Sequence, residues 1–264
     1  MHRAGLHLLI HPSALVDPGA ELDSSVEVGP FAVIGSGVQI DAGTRVGPHV
    51  VVRGPTRIGR DNHIFQFASV GEDPQDKKYG GEPTWLELGD RNQVREFVTL
   101  HRGTEQDQGV TRIGDDNLFM AYSHVAHDCR IGDQVIMANA ASLGGHVEIQ
   151  DWAILGGFTI VHQFCRIGAH SFCAMGSVLT RNVPPYVTVG GHPAEPHGIN
   201  SEGLRRRGYT PDAVQAIKRA YRALYMSNLK LDEAVERIRG MAESQPELAI
   251  LADFLAATNR GVVR

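Results

Sequence analysis

The chain has 264 residues, a formal charge of −5 and 42% hydrophobic residues. That balance gives no argument for a nucleic-acid or membrane-surface partner, neither of which is expected, and the chain contains no stretch of transmembrane length. Cys129, Cys165 and Cys173 are odd in number and make no CxxC spacing, so neither a disulfide framework nor a cysteine-based metal site is expected.

The opening MHRAGLHLLI lacks a full apolar h-region and a small-residue cleavage site, and a cytoplasmic protein with no integral membrane segment is expected. From Ile10 an aliphatic residue recurs every six positions, at Val16, Leu22, Val28, Ile34, Ile40, Val46, Val52, Ile58, Ile64 and Val70. A six-residue period predicts a solenoid. Glycine commonly follows the rung, as at Gly29, Gly35, Gly47 and Gly59, which suits short strands with stacked inward rungs and corners of permissive backbone. Three hexads make one triangular coil of about eighteen residues, so residues eighteen apart stack at roughly the strand spacing of about 4.8 Å.

Two polar loops, near 72–87 and 101–112, interrupt the ladder. The first carries Gln75, Asp76, Lys77, Lys78 and Tyr79, more hydrogen-bonding groups than a spacer needs, although surface loops are commonly polar. The register resumes at Leu88, Val94 and Leu100, and again from Ile113 through Leu179, with Cys173 as an inward rung. A mainly β solenoid over 1–190 is therefore expected.

Within the second run the coil arithmetic collects histidines. Gly145 lies one coil above His127 and Gln163 one coil above that; His146 lies above Asp128, and His162 above Gly144. His124, His127, His146, His162 and Gln163 can thus share one flank of successive coils. A lone corner histidine is more often structural, whereas a cluster on one flank favours a site. Two chemistries could use it. His127 could be a general base for acyl transfer, with Asp128 orienting it and the Gly145 N–H stabilising an oxyanion. Alternatively, three histidines from adjacent chains could bind zinc, as in a metal-dependent hydratase of the hexapeptide-repeat carbonic anhydrase type.

Beyond Asn182 the six-residue period ends. Pro184-Pro185 closes the last coil, and Gly190-Gly191-His192-Pro193 reads as a turn-rich connector into a helical domain over 191–264. Thr210-Pro211 predicts an N-cap with proline at N1, followed by an apolar stripe of Ala213, Ile217, Ala220, Tyr221 and Leu224; two further helices are expected near 230–244 and 246–258. Arg205, Arg206, Arg207, Lys218, Arg219 and Arg222 concentrate positive charge in an acidic chain, either as a solvated helix face or as a surface for an anionic partner.

The ordered runs IGRDNHIFQFASVGEDPQDKKYGGEPT, HRGT, AHDC, GGHV, VHQFCRIGAH, NVPPYV and EGLRRRG resemble the UDP-N-acetylglucosamine O-acyltransferase family, over nearly the whole chain. The resemblance implies a left-handed parallel β-helix of hexapeptide repeats with a C-terminal α-helical domain. It also implies transfer of a 3-hydroxyacyl group from acyl carrier protein to the 3-hydroxyl of UDP-N-acetylglucosamine, opening lipid A biosynthesis, by a homotrimer with sites between subunits and no cofactor or metal. By the same resemblance His127 is the general base, Asp128 its companion and Gly145 the oxyanion donor. His124 and His146 line the sugar and diphosphate, Asp76 and Lys78 bind the sugar, and His162 and Gln163 extend that site. Asn200, Glu202, Arg206 and Arg207 lie at the nucleotide, and Met175 limits acyl-chain length where members using longer chains have glycine. The connector GGHPAEPHGIN departs from the family's pattern, so no contact is carried over to it. A related hexapeptide enzyme that acylates an amine carries a domain ahead of its repeats, whereas this ladder starts at residue 10.

Overall fold

The computed structural model describes residues 9–258 and 260–264; the opening segment over 1–8, read above for a leader, lies outside the described residues. The hexads wind as a left-handed parallel β-helix. Two compact units result, one ending at Cys129 and the other beginning at Arg130.

In the first unit, one face stacks Leu15–Val16, Val33–Ile34, Val51–Val52, Ser69–Glu72, Thr99–His101 and His124–Val125 in parallel. The other two faces are built the same way, around Val38–Ile40, Thr56–Ile58 and Trp85–Leu88, and around Arg45–Val46, His63–Ile64 and Gln93–Val94. Rungs pair with rungs, as Ile34 with Val52, so aliphatic side chains stack down the axis. From Val28 to Val125 the rungs are at most 4% exposed, whereas Ile10 is 42% exposed at the first described coil. Each buried aliphatic side chain stabilises the stack by roughly 1.5–3 kcal/mol.

The corner chemistry differs from the sequence expectation. Gly29 and Gly47 are needed for close approach: a Cβ would lie 2.8 Å from Pro48 N and 2.9 Å from Ile64 O, respectively. The left-handed backbone falls two residues later, on Phe31, His49, Phe67, Phe97 and Tyr122, with φ between 57° and 65°. Their rings stack in a column at centroid spacings of 4.9–5.2 Å. Coil-to-coil stacking therefore holds bulky residues in a conformation they otherwise avoid.

The first loop is narrower than 72–87. Leu86 and Leu88 are both buried inward and pair with Thr56 and Ile58, so the strand Trp85–Leu88 has already resumed and the loop spans 73–84. The second loop spans 102–109, because His101 pairs with Glu72 and Val110 with Trp85.

The second unit continues with three parallel faces, represented by the pairs Glu148–Ile149 with Arg166–Ile167, Ile154–Leu155 with Phe172–Cys173, and Ile160–Val161 with Val178–Leu179. The segment read as a connector is instead a β-hairpin: Val187–Gly191 joins the sheet beside Phe172–Cys173, and Ala194–Ile199 returns antiparallel to it. Gly191 at φ +106° turns the chain. Among the described residues four helices follow: α1 Ser201–Arg206, α2 Pro211–Tyr225, α3 Leu231–Ala242 and, after a short 3-10 turn, α4 Ala249–Ala256. Thr210 caps α2 by accepting from Ala213 N at 3.2 Å, with proline at the first helical position. Leu204, Ile217, Leu224, Ile238, Leu251 and Phe254 share a core with Tyr186 and Val262. Tyr186, from the last coil, donates to Glu247 O at 2.6 Å, and Val262 bridges to Asn182.

Candidate active site

In the unit ending at Cys129, the hexad after Val125 turns through Asp128, at φ +59°, which aims its carboxylate back along the chain. His127 Nδ1 donates to Asp128 Oδ2 at 2.8 Å, with the side chains 14% and 1% exposed. A buried carboxylate needs donors, and the second loop supplies two. Thr104 N reaches Oδ1 at 2.9 Å and Thr104 Oγ1 reaches Oδ2 at 2.6 Å. With Nδ1–H on the carboxylate, Nε2 is the ring nitrogen that can take up a proton.

His124 sits one strand position before the rung Val125. Its Nδ1 lies 2.7 Å from Thr99 Oγ1, and its ring meets His101 edge-on at 5.1 Å. Burial, then the charges of His101 and His127, push His124 down to about 4. It is therefore a neutral hydrogen-bonding group near pH 7, suited to sugar hydroxyls rather than to neutralising a diphosphate. Burial also pushes His101 down, against the carboxylates of Glu72 and Asp73. In the first loop, Asp76 folds its Oδ1 onto Lys78 N at 3.0 Å, leaving the Lys78 side chain exposed.

In the second unit, Gly145 is buried and its carbonyl accepts from Phe164 N at 3.1 Å. His146 stacks on Phe164 at 4.4 Å, while His162 and Gln163 are exposed. Arg260, which sequence reasoning missed, donates to Gln163 O at 2.9 Å and approaches His162 Nδ1 at 3.5 Å. His146 and His162 follow the strands Ser142–Leu143 and Ile160–Val161. Arg207, the residue that follows α1, lies at another corner. Arg207 stacks over Trp152 at 5.1 Å, donates to Trp152 O at 3.0 Å and to His170 Nδ1 at 3.3 Å, and is half-buried. Trp152 and His170 follow the face of Glu148–Ile149 and Arg166–Ile167. Within this unit the structure therefore does not bring Arg207 to His146 and His162.

Asn200 caps α1, accepting from Gly203 N at 3.0 Å and donating to His170 O at 3.0 Å. Glu202 accepts from Arg205 and Arg206, both at 2.8 Å, and these bonds hold its carboxyl below the usual range. The basic patch is thus partly neutralised at α1, leaving Lys218, Arg219 and Arg222 along α2. Met175 stands 81% exposed beside Gly176.

Residues 182–263 match the family described as Udp N-acetylglucosamine O-acyltransferase, domain 2. The acyl-[acyl-carrier-protein]--UDP-N-acetylglucosamine O-acyltransferase of Alkalilimnicola ehrlichii is 60% identical over 97% of this chain and 99% of its own length. Among solved structures, the UDP-N-acetylglucosamine acyltransferase of Francisella novicida superposes with a TM-score of 0.95 at 41% identity, covering 97% of this chain and 94% of that one. The UDP-N-acetylglucosamine O-acyltransferase of Moraxella catarrhalis gives a TM-score of 0.95 at 43% identity, covering 97% and 100%. The chain belongs to the acyl-[acyl-carrier-protein]--UDP-N-acetylglucosamine O-acyltransferase family.

Proposed function

We propose that this chain transfers a 3-hydroxyacyl group from the thioester of acyl carrier protein to the 3-hydroxyl of UDP-N-acetylglucosamine, opening lipid A biosynthesis in the cytoplasm. The observation that carries the mechanism is the buried His127–Asp128 pair, with Nδ1–H on the carboxylate at 2.8 Å. His127 Nε2 takes the hydroxyl proton as the sugar oxygen attacks the thioester carbonyl. The new C–O bond forms, the carbonyl electron pair moves onto oxygen, and the Gly145 N–H stabilises that charge. Collapse breaks the C–S bond, and His127 returns its proton to the departing thiolate. General-base assistance of this kind contributes about 10²–10⁴ in rate.

His124, neutral near pH 7, and Asp76 bind sugar hydroxyls; Lys78 and His146 serve the sugar and diphosphate, with His162 and Gln163 extending the site. Arg206, whose side chain is 76% exposed, carries charge to the nucleotide. Glu202 holds it, while Asn200 and Arg207 fix α1 where it is needed. The separation of Arg207 from His146 and His162 supports a homotrimer whose sites lie between subunits, so that different corners of two chains complete each one. The exposed Met175 then ends the acyl groove.

The metal-dependent hydratase reading is not favoured, because a relative 60% identical over 97% of the chain is named an acyltransferase. The test is to incubate chelator-treated protein with UDP-N-acetylglucosamine and 3-hydroxyacyl carrier protein and weigh the product. A nucleotide heavier by one acyl group supports the reading; unchanged substrates in both directions of the reaction contradict it.

A further inference from the structure

The stretch His101–Thr104 leaves its strand and doubles back tightly. Gly103 N donates to Trp85 O at 3.0 Å, and a Cβ at Gly103 would lie 2.2 Å from Val110 N, so only glycine fits. His101, Arg102 and Thr104 are at most 6% exposed, while the following residues 105–108 are exposed. A nearly buried guanidinium is costly unless paired, and Arg102 is paired on three sides. It donates to Gly54 O, to Asp73 Oδ1 and, at 2.9 Å, to Tyr79 Oη. Tyr79 in turn donates to Glu82 O at 2.9 Å. Arg102 therefore grips both flanks of the segment that carries Asp76 and Lys78. One residue beyond Gly103, Thr104 gives both of its donors, N–H and hydroxyl, to Asp128, and its hydroxyl shares Oδ2 with His127. Thr111 Oγ1 accepts from Asp128 N at 2.8 Å, holding the same residue from the other side.

We propose that this stretch is a positioning bridge: Thr104 sets the carboxylate that orients His127, and Arg102 sets the 73–84 loop that binds the sugar nucleotide. A single tight span thus places the proton acceptor and the substrate loop together. The inference rests on the acyl-transfer reading above.

The test divides the two arms. Thr104→Val keeps the volume and the backbone N–H but removes the hydroxyl; kcat falls about tenfold, the scale of one hydrogen bond to a charged group, while KM for UDP-N-acetylglucosamine is unchanged. Thr104→Ser restores kcat, and in an Asp128→Asn background Thr104→Val causes no further loss. Arg102→Lys raises KM for the nucleotide several-fold with kcat little changed. Tyr79→Phe, which leaves Arg102 in place, raises the same KM by a smaller factor and decides the matter if Arg102→Lys lowers the melting temperature. A wild-type kcat in Thr104→Val, or an equal loss on top of Asp128→Asn, overturns the first arm. An unchanged KM in Tyr79→Phe together with either unchanged KM or unfolding in Arg102→Lys overturns the second. Wild-type turnover in His127→Ala would instead sink the acyl-transfer mechanism itself.

Discussion

Thr104 Oγ1 and His127 Nδ1 donate to the same oxygen, Asp128 Oδ2, at 2.6 and 2.8 Å. The carboxylate is buried, so protein donors stand in for water around it, and the bond from Nδ1 turns the His127 ring toward Asp128. In Asp128→Asn the amide NH₂ faces His127 Nδ1 and selects the tautomer with its proton on Nε2, where no substrate proton can be received. We predict a kcat lower by about 10²–10⁴ with KM for the nucleotide retained. Steady-state kinetics with a matched melting curve checks this; a loss of less than about threefold would contradict it.

The depressed histidines make stability depend on pH. His124 and His170 are both pushed down to about 4, chiefly by burial, from an ordinary value of 6.5. The unfolded chain therefore binds more protons than the folded one between those values, and stability rises with pH through that window. It is full above about 6.5 and is lost as pH falls toward about 4. Melting temperature should drop over this range, and His170→Asn, far along the chain from the proposed chemistry, should flatten the slope. A slope identical to wild type would refute the assignment.

Met175 is 81% exposed among the described residues. If it ends the acyl groove between subunits, its thioether fills volume that further methylenes would need, and close-packed sites have little slack. We predict a preference for chains of roughly ten to twelve carbons over fourteen, shifting longer in Met175→Gly. Competition between carrier proteins loaded with different chains reads the profile directly. An unchanged optimum in the variant would remove Met175 from the ruler.

Lys218 and Arg222 lie on α2, clear of the Glu202 pairs that neutralise Arg205 and Arg206. Reversing both charges should raise KM for acyl carrier protein in an ionic-strength-dependent manner and leave KM for the nucleotide unchanged. Equal effects on both substrates would argue for a different docking face.

The ladder from Val28 onward was legible because every sixth residue must enter a stack with no room for water, and Val52, Ile58 and Ile64 do so completely. Thr210 and Pro211 were legible because a helix start is a local problem. What escaped depends on partners remote in sequence. The hairpin of Val187–Gly191 and Ala194–Ile199 is stabilised by Phe172–Cys173, and its glycines and prolines read as a connector. Thr104 escaped because the coil arithmetic used eighteen residues throughout, whereas the looped coil is longer and places Thr99 beside His124, 25 residues on. The second loop likewise sets Thr104 against Asp128, 24 residues on, a separation that an eighteen-residue count does not produce. Arg207 looked like a free cation because nothing local announces Trp152, 55 residues away.

The central claim, that His127 is the proton acceptor in acyl transfer, is tested most directly by single-turnover acylation of UDP-N-acetylglucosamine by wild-type and His127→Ala protein, with melting temperature and oligomeric state measured alongside. The account predicts a folded variant of unchanged assembly whose transfer rate is lower by about 10²–10⁴. A folded His127→Ala protein that transfers the acyl group at the wild-type rate would contradict it.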